Sequence, residues 1–167
     1  ASAAATKTFS DYGARVVTVE PLSGGALRRL APFPNDRPHL DQGAYHLAFN
    51  TGKCSICLDR TPPSGRELLT RLLTTAPLVF FDVSPSDVRQ LRALVDPVHG
   101  PSTVAITPHG LDGPYAGRRE NDMSVLAWTT RMHRNAIANQ EPLRYAPEAG
   151  HVQAAHTAAA AGFAVCW

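Results

Sequence analysis

Four short apolar runs constrain this chain more than anything else in it. They lie at residues 15–19, 54–58, 78–81 and 103–107, and loop- or helix-patterned sequence separates each from the next. Val, Ile, Thr and Phe crowd these runs, which is strand chemistry. The runs are more continuous than alternating, as in strands covered on both faces. Strands joined through a helix return in parallel. The predicted fold is α/β, with a mostly parallel, open, doubly wound sheet and helices on both faces.

The helix signals agree. Residues 2–12 suit a helix that stops at Tyr12-Gly13, and Thr61-Pro62-Pro63-Ser64 opens another through Thr75. Leu68, Leu69, Leu72 and Leu73 fall on one face of that second helix. Ser84-Pro85-Ser86-Asp87 caps a short helix through Leu94. Residues 122–134 predict a helix with Met123, Leu126, Ala127 and Met132 inward, and 151–167 an Ala-rich helix packed on most sides. Residues 20–43 read as a long loop, and such loops in compact domains are commonly functional. Ligands of doubly wound sheets bind outside the carboxyl ends of the strands. Here those ends are residues 20–29, 58–61, 82–85 and 107–114.

The formal net charge of +2 gives no electrostatic case for nucleic acid. No apolar run is long enough to span a bilayer, and no Lys/Arg-led signal is present, so the default expectation is a cytoplasmic protein without a membrane partner. Lys7 and Lys53 are the only lysines, which makes Lys53 conspicuous beside a Gly turn. The spacing of Cys54 and Cys57 suits a zinc or redox site, but a second pair is missing. On a strand these two side chains point to opposite faces. They are expected to be buried strand cysteines, with no metal bound. His151 and His156 lack the i, i+4 spacing of two ligands on one helical face. His156 reads as a core or interface residue, and His46, His99, His109 and His133 as surface or loop residues. His151, by its place in the chain, reads as a helix-start residue.

Several segments, in order, resemble the family III CoA-transferases, a group that includes formyl-CoA transferases and α-methylacyl-CoA racemases. Residues 12–21, YGARVVTVEP, are similar to the family's LGAEVIKVEPP, and 24–28, GGALR, to its GGDPLR. Residues 50–59, NTGKCSICLD, resemble NRGKRSVALD, and 64–69, SGRELL, resemble PEGRELL. Residues 105–115, AITPHGLDGPY, resemble SISGFGQTGPY. The resemblance implies a Rossmann-like large domain that binds CoA, a smaller second domain, and an interlocked dimer of two ring-shaped chains. Residues 1–167 would be part of the large domain, its CoA-binding side, with the opening strand, the small domain and the C-terminal part absent. The substrate would be coenzyme A or an acyl-CoA thioester, with no metal. The partner chain would be a second copy or another CoA-transferase-like chain. Arg28 and Lys53 are the expected phosphate-binding cations. Leu58, Asp59, Arg60, Asp82 and Val83 are expected to line the adenosine slot.

Departures from the family pattern cluster at functional positions. In the transferases an Asp carboxylate attacks the thioester, and the resemblance places His151 where that Asp stands. An imidazole cannot form the same acyl anhydride; it can act as a base or as a less usual nucleophile. The His-Asp pair of the racemases is Asn121-Asp122 here, and the Arg that the family carries in the helix after the turn at residues 81–86 is Gln90, flanked by Arg89 and Arg92. Two functions therefore stand side by side: a CoA-transferase-like enzyme, and a catalytically degenerate half that dimerises with or scaffolds an active copy.

Overall fold

A computed structural model describes residues 1–166. The chain opens with helix α1 (Ser2–Asp11) and strand β1 (Val17–Glu20). Two short 3-10 turns (Ala26–Arg29 and Pro34–Asp36) lead into helix α2 (Ala44–Asn50) and strand β2 (Cys54–Cys57). Helix α3 (Pro63–Thr75), strand β3 (Leu78–Phe81), helix α4 (Pro85–Arg92) and strand β4 (Ser102–Ala105) follow. Helices α5 (Asp122–Trp128), α6 (Arg131–Arg134) and α7 (Ala149–Cys166) close the order.

All strand pairing among the described residues is parallel. β1 pairs with β2, Val17 opposite Cys54, and β3 pairs with β4, Leu78 opposite Ser102. These are two separate two-stranded pairs. In a parallel ladder alternate residues direct their backbone groups to opposite edges. Glu20 O and Phe81 O accept from Leu58 and Ile106, so β1 and β3 each turn one edge to their partner. The other edge of each has no strand against it among the described residues.

Small side chains build the core. Ala5 of α1 and Ala155, Ala158 and Ala159 of α7 are buried against one another, with Phe9, Phe80, Val104 and Ile106 packed around them. Alanine lets two helices approach closely without loss of helix propensity. The helices run side by side in the same direction: Phe9 stacks on Phe163 at 4.2 Å between ring centroids, while Ala3, Ala4, His151 and Val152 gather at the other end. A Cβ on Gly162 would come within 2.7 Å of the Phe80 ring, so glycine lets α7 lie down on β3.

Three sequence expectations are corrected. Cys54 and Cys57 are exposed, because nothing among the described residues covers that part of β2. The helix expected over 122–134 breaks at Thr130, whose φ of 58° is left-handed, into α5 and α6. Leu126 faces inward as expected, but Met123 and Ala127 are exposed and the half-buried Val125 takes their place. The long loop expected over residues 20–43 contains two 3-10 turns and ends at α2, on which Tyr45 and Phe49 pair at i, i+4.

Candidate functional site

Both α1 and α7 begin at the carboxyl ends of the strands. Their first turns wall a cleft of about 170 Å³, closed on the other side by Leu27, Leu30, Tyr45 and Phe49. Glu148, His151 and Val152 complete it. The walls are largely apolar; the chemistry sits at the α7 end.

There the His151 ring is half exposed, and its Nδ1 lies 2.7 Å from Glu148 Oε2 and 3.5 Å from Asp122 Oδ1. Asp122 also accepts the backbone N–H of His151 at 3.0 Å, a carboxylate placed at a helix start. Gly150 makes this approach possible: a Cβ there would stand 2.6 Å from Asp122 Oδ1. Glu148 holds a φ of 67°, a left-handed backbone uncommon for a residue with a side chain. His151 is thus flanked by two carboxylates at Nδ1, and no bond engages Nε2 among the described residues.

Asp82, at the end of β3, anchors the start of α1. Its Oδ2 accepts from the Ser2 N–H at 2.8 Å.

Arg28 and Lys53 are both tied into the fold. Arg28 grips the buried Glu20 through Nε and Nη2, and reaches Asp41 through Nη1. Those bonds, together with Ser55 and the Gly25 N–H, hold the Glu20 carboxyl at about 2 despite its burial. Lys53 donates to Ala3 O at 2.6 Å, Thr6 Oγ1 at 2.8 Å and Asn50 Oδ1 at 3.3 Å. An ammonium has three donors, and all three are spent on α1 and α2. Burial lowers the Lys53 pKa to about 8. For either cation to reach a phosphate it would have to give up these partners.

More exposed positive charge, with fewer partners, lies at the end of β2. Arg60 is half exposed, with one bond to Asp87 at 3.1 Å, and Arg66 caps Thr61 O at 3.0 Å. They line a groove with Leu69, Gln90 and Leu94 between α3 and α4. Half-buried Leu58 and exposed Asp59 precede Arg60; Val83, partly exposed, follows β3. The Thr61 N–H holds the Asp59 carboxyl below its ordinary value. The structure thus brings Arg60 to a groove and His151 to a cleft. Sequence reading missed Arg66, Tyr45, Phe49 and Glu148. The i, i+4 aromatic pair on α2 and the Glu148 to His151 i, i+3 spacing were the available signals.

A second polar cluster follows β4. Glu120 forms an ion pair with Arg118, Nε to Oε1 2.6 Å, and meets His109 Nε2 at 3.1 Å, while the His109 ring packs on Tyr115 and Trp128. Hydrogen bonds from Ser124 and His109 hold the Glu120 carboxyl low. The cluster ties the loop after β4 to α5. Among the described residues no group of three or more His, Cys, Asp or Glu is placed to hold a metal ion. Among the described residues no helix is long and apolar enough to cross a membrane.

Comparison with known proteins shows what the chain as a whole is similar to. The profile of CoA-transferase family III matches residues 1–166. The chain is 27% identical over 163 residues to the succinyl-CoA:(R)-benzylsuccinate CoA-transferase subunit BbsE of Thauera aromatica, covering 95% of this chain and 40% of that one. It is 30% identical over 127 residues to the probable fatty acyl-CoA transferase Rv3272 of Mycobacterium tuberculosis, covering 74% of this chain and 32% of the relative. A crystal structure of a CAIB/BAIF family protein from Brucella suis superposes with a TM-score of 0.72 at 26% identity, over 93% of this chain and 44% of that chain. The chain therefore spans well under half the length of the relatives it matches.

Proposed function

Because this chain belongs to CoA-transferase family III, we propose that it binds coenzyme A or an acyl-CoA along its strand ends and moves CoA between carboxylic acids. The observation that carries this reading is the cleft between α1 and α7, apolar along Leu27, Leu30, Tyr45 and Phe49 and open at His151. An acyl group needs such walls, and a thioester carbonyl at its mouth would meet the imidazole. Arg60 and Arg66 supply charge for the phosphates. Leu58, Asp59, Asp82 and Val83 belong to the same strand ends and would flank the adenosine. Arg28 and Lys53 support this edge from behind by holding Glu20 and the start of α1. In this reading residues 1–167 form the CoA-binding side of a larger domain, which assembles with a second copy or with another CoA-transferase-like chain.

His151 favours a second reading. An imidazole replaces the carboxylate that the family resemblance leads one to expect, so the chain would be a degenerate half that dimerises with or scaffolds an active copy. Titration calorimetry with CoA and an acyl-CoA separates the two. Binding heat from the protein supports the first reading. Its absence, both alone and in complex with an active copy, removes that reading and leaves the second.

A further inference from the structure

We infer that the His151–Glu148 pair makes this site a water-activating one, so that the chain hydrolyses an acyl-CoA thioester to the free acid and CoA. The inference rests on the acyl-CoA reading above and goes beyond it in the reaction. Three observations converge on it. The first is the orientation of the ring: with Nδ1–H donating to Glu148 Oε2 at 2.7 Å, Nε2 carries a lone pair and is free of partners among the described residues. A carboxylate behind an imidazole fixes its tautomer and stabilises the imidazolium that forms when the ring takes a proton. The second is the backbone of Glu148, whose φ of 67° is strained for a residue with a side chain. That strain sits at the residue that presents a carboxylate to His151. The third is access: the His151 side chain is 51% exposed at the mouth of an apolar cleft, so water can reach the ring.

The steps balance without a further reactant. Nε2 takes one proton from a water molecule as the water oxygen bonds to the thioester carbonyl carbon. The tetrahedral intermediate then expels the sulfur with the C–S bonding pair, and the sulfur takes the proton held on Nε2. Acyl-CoA and water become carboxylic acid and CoA thiol, with no change in oxidation state. Asp122, on the His151 backbone N–H and 3.5 Å from Nδ1, adds negative charge behind the ring. Glu148 and Asp122 are positioning residues, and His151 is the catalytic one.

The test uses the purified protein, benzoyl-CoA as probe, no acceptor acid, and water enriched in oxygen-18. The expected result is release of CoA thiol with one labelled oxygen in the benzoate. His151→Asn should lower kcat by roughly 10²- to 10⁴-fold with KM little changed. Glu148→Gly removes the carboxylate but accepts the positive φ, so it should lower kcat while leaving the melting temperature unchanged or raised. A purely structural Glu148 would not produce that split, and an unaltered rate in Glu148→Gly would overturn its role. Benzoyl-CoA that binds in calorimetry but releases thiol only when an acceptor acid is added overturns hydrolysis and leaves the transferase reading. Binding with no release in either case also overturns hydrolysis. A hydroxamate left on Glu148 when hydroxylamine is added to the reaction, the mark of a benzoyl anhydride there, overturns the base role of His151. Absence of binding fails the acyl-CoA reading itself.

Discussion

Arg28 meets the buried carboxylate of Glu20 side-on, with Nε 2.6 Å from Oε2 and Nη2 2.8 Å from Oε1. Glu20 is 6% exposed, so its charge depends on this fork. The pair closes the turn after β1 and holds Gly24 and Gly25 against it.

The fold should therefore lose stability in acid through this group. The Glu20 carboxyl moves from an ordinary 4.5 to about 2 on folding. A carboxyl lowered on folding contributes stability above its unfolded pKa, and loses it as pH falls toward the folded value. That contribution, on the order of 3 kcal/mol, should decline between pH 4.5 and about 2. Arg28→Ala should cost about 3–5 kcal/mol at neutral pH by leaving Glu20 buried and unpaired. Urea denaturation across pH checks both. A flat profile for the native chain between pH 5 and 3 would count against the first.

Lys53 has the opposite pH signature. Its pKa falls from 10.5 to about 8 on folding, so the unfolded chain binds more protons between those values. Stability should rise as pH climbs from 8 to 10.5 and level off above. In Lys53→Met that rise should disappear from thermal melts across the window, and a rise that persists would locate the effect elsewhere.

The phosphate assignment rests on Arg60 and Arg66. Arg60→Ala and Arg66→Ala should each weaken CoA binding by roughly tenfold or more, the scale of one hydrogen bond to a charged group. Dephospho-CoA in the same titrations identifies the phosphate concerned, because the loss shrinks when the partner phosphate is already missing. Equal CoA affinity in both variants would remove the groove from the binding site.

The contact of α7 with β3 depends on Gly162. A Cβ there would stand 2.7 Å from the Phe80 ring, 2.9 Å from Phe9 and 3.1 Å from Leu78. Gly162→Val should destabilise the chain by about 1–3 kcal/mol through overpacking. A guanidinium melt with an unchanged midpoint would show that the three side chains yield more easily than their packing suggests.

Residues 1–167 expressed alone should self-associate. β1 and β3 each present an edge with no strand against it among the described residues, and unpaired edges recruit other chains. Sedimentation velocity should show concentration-dependent association. A single monomer species across the range would refute it.

The strands and most helices followed from the sequence because their signals are local. Leu78–Phe81 is a compact apolar run and matched the expected boundaries. Ser84 caps α4 by accepting from the Asp87 N–H, as its spacing implied. What escaped was set by neighbours distant in sequence. Lys53 looked like a phosphate cation beside a turn, yet its partners come largely from the first turns of α1, far away along the chain. The exposure of Cys54 and Cys57 depends on what fails to cover β2. Glu148 lay in a segment without periodicity, and its role emerged only where the chain turns into α7. His151 was singled out by resemblance alone, and sequence could not supply the two carboxylates around it.

Gly150 gives that last arrangement an unusual dependence. The distance between Asp122 and the first turn of α7 is set by a missing methyl group, since a Cβ at residue 150 would stand 2.6 Å from Asp122 Oδ1. A side chain as small as alanine would act as a wedge, driving the carboxylate from the imidazole while leaving both Asp122 and His151 in the sequence. The approach of Asp122 to His151 is therefore gated by an empty volume: a homologous chain could keep both residues and still lose their contact by acquiring one carbon atom next door.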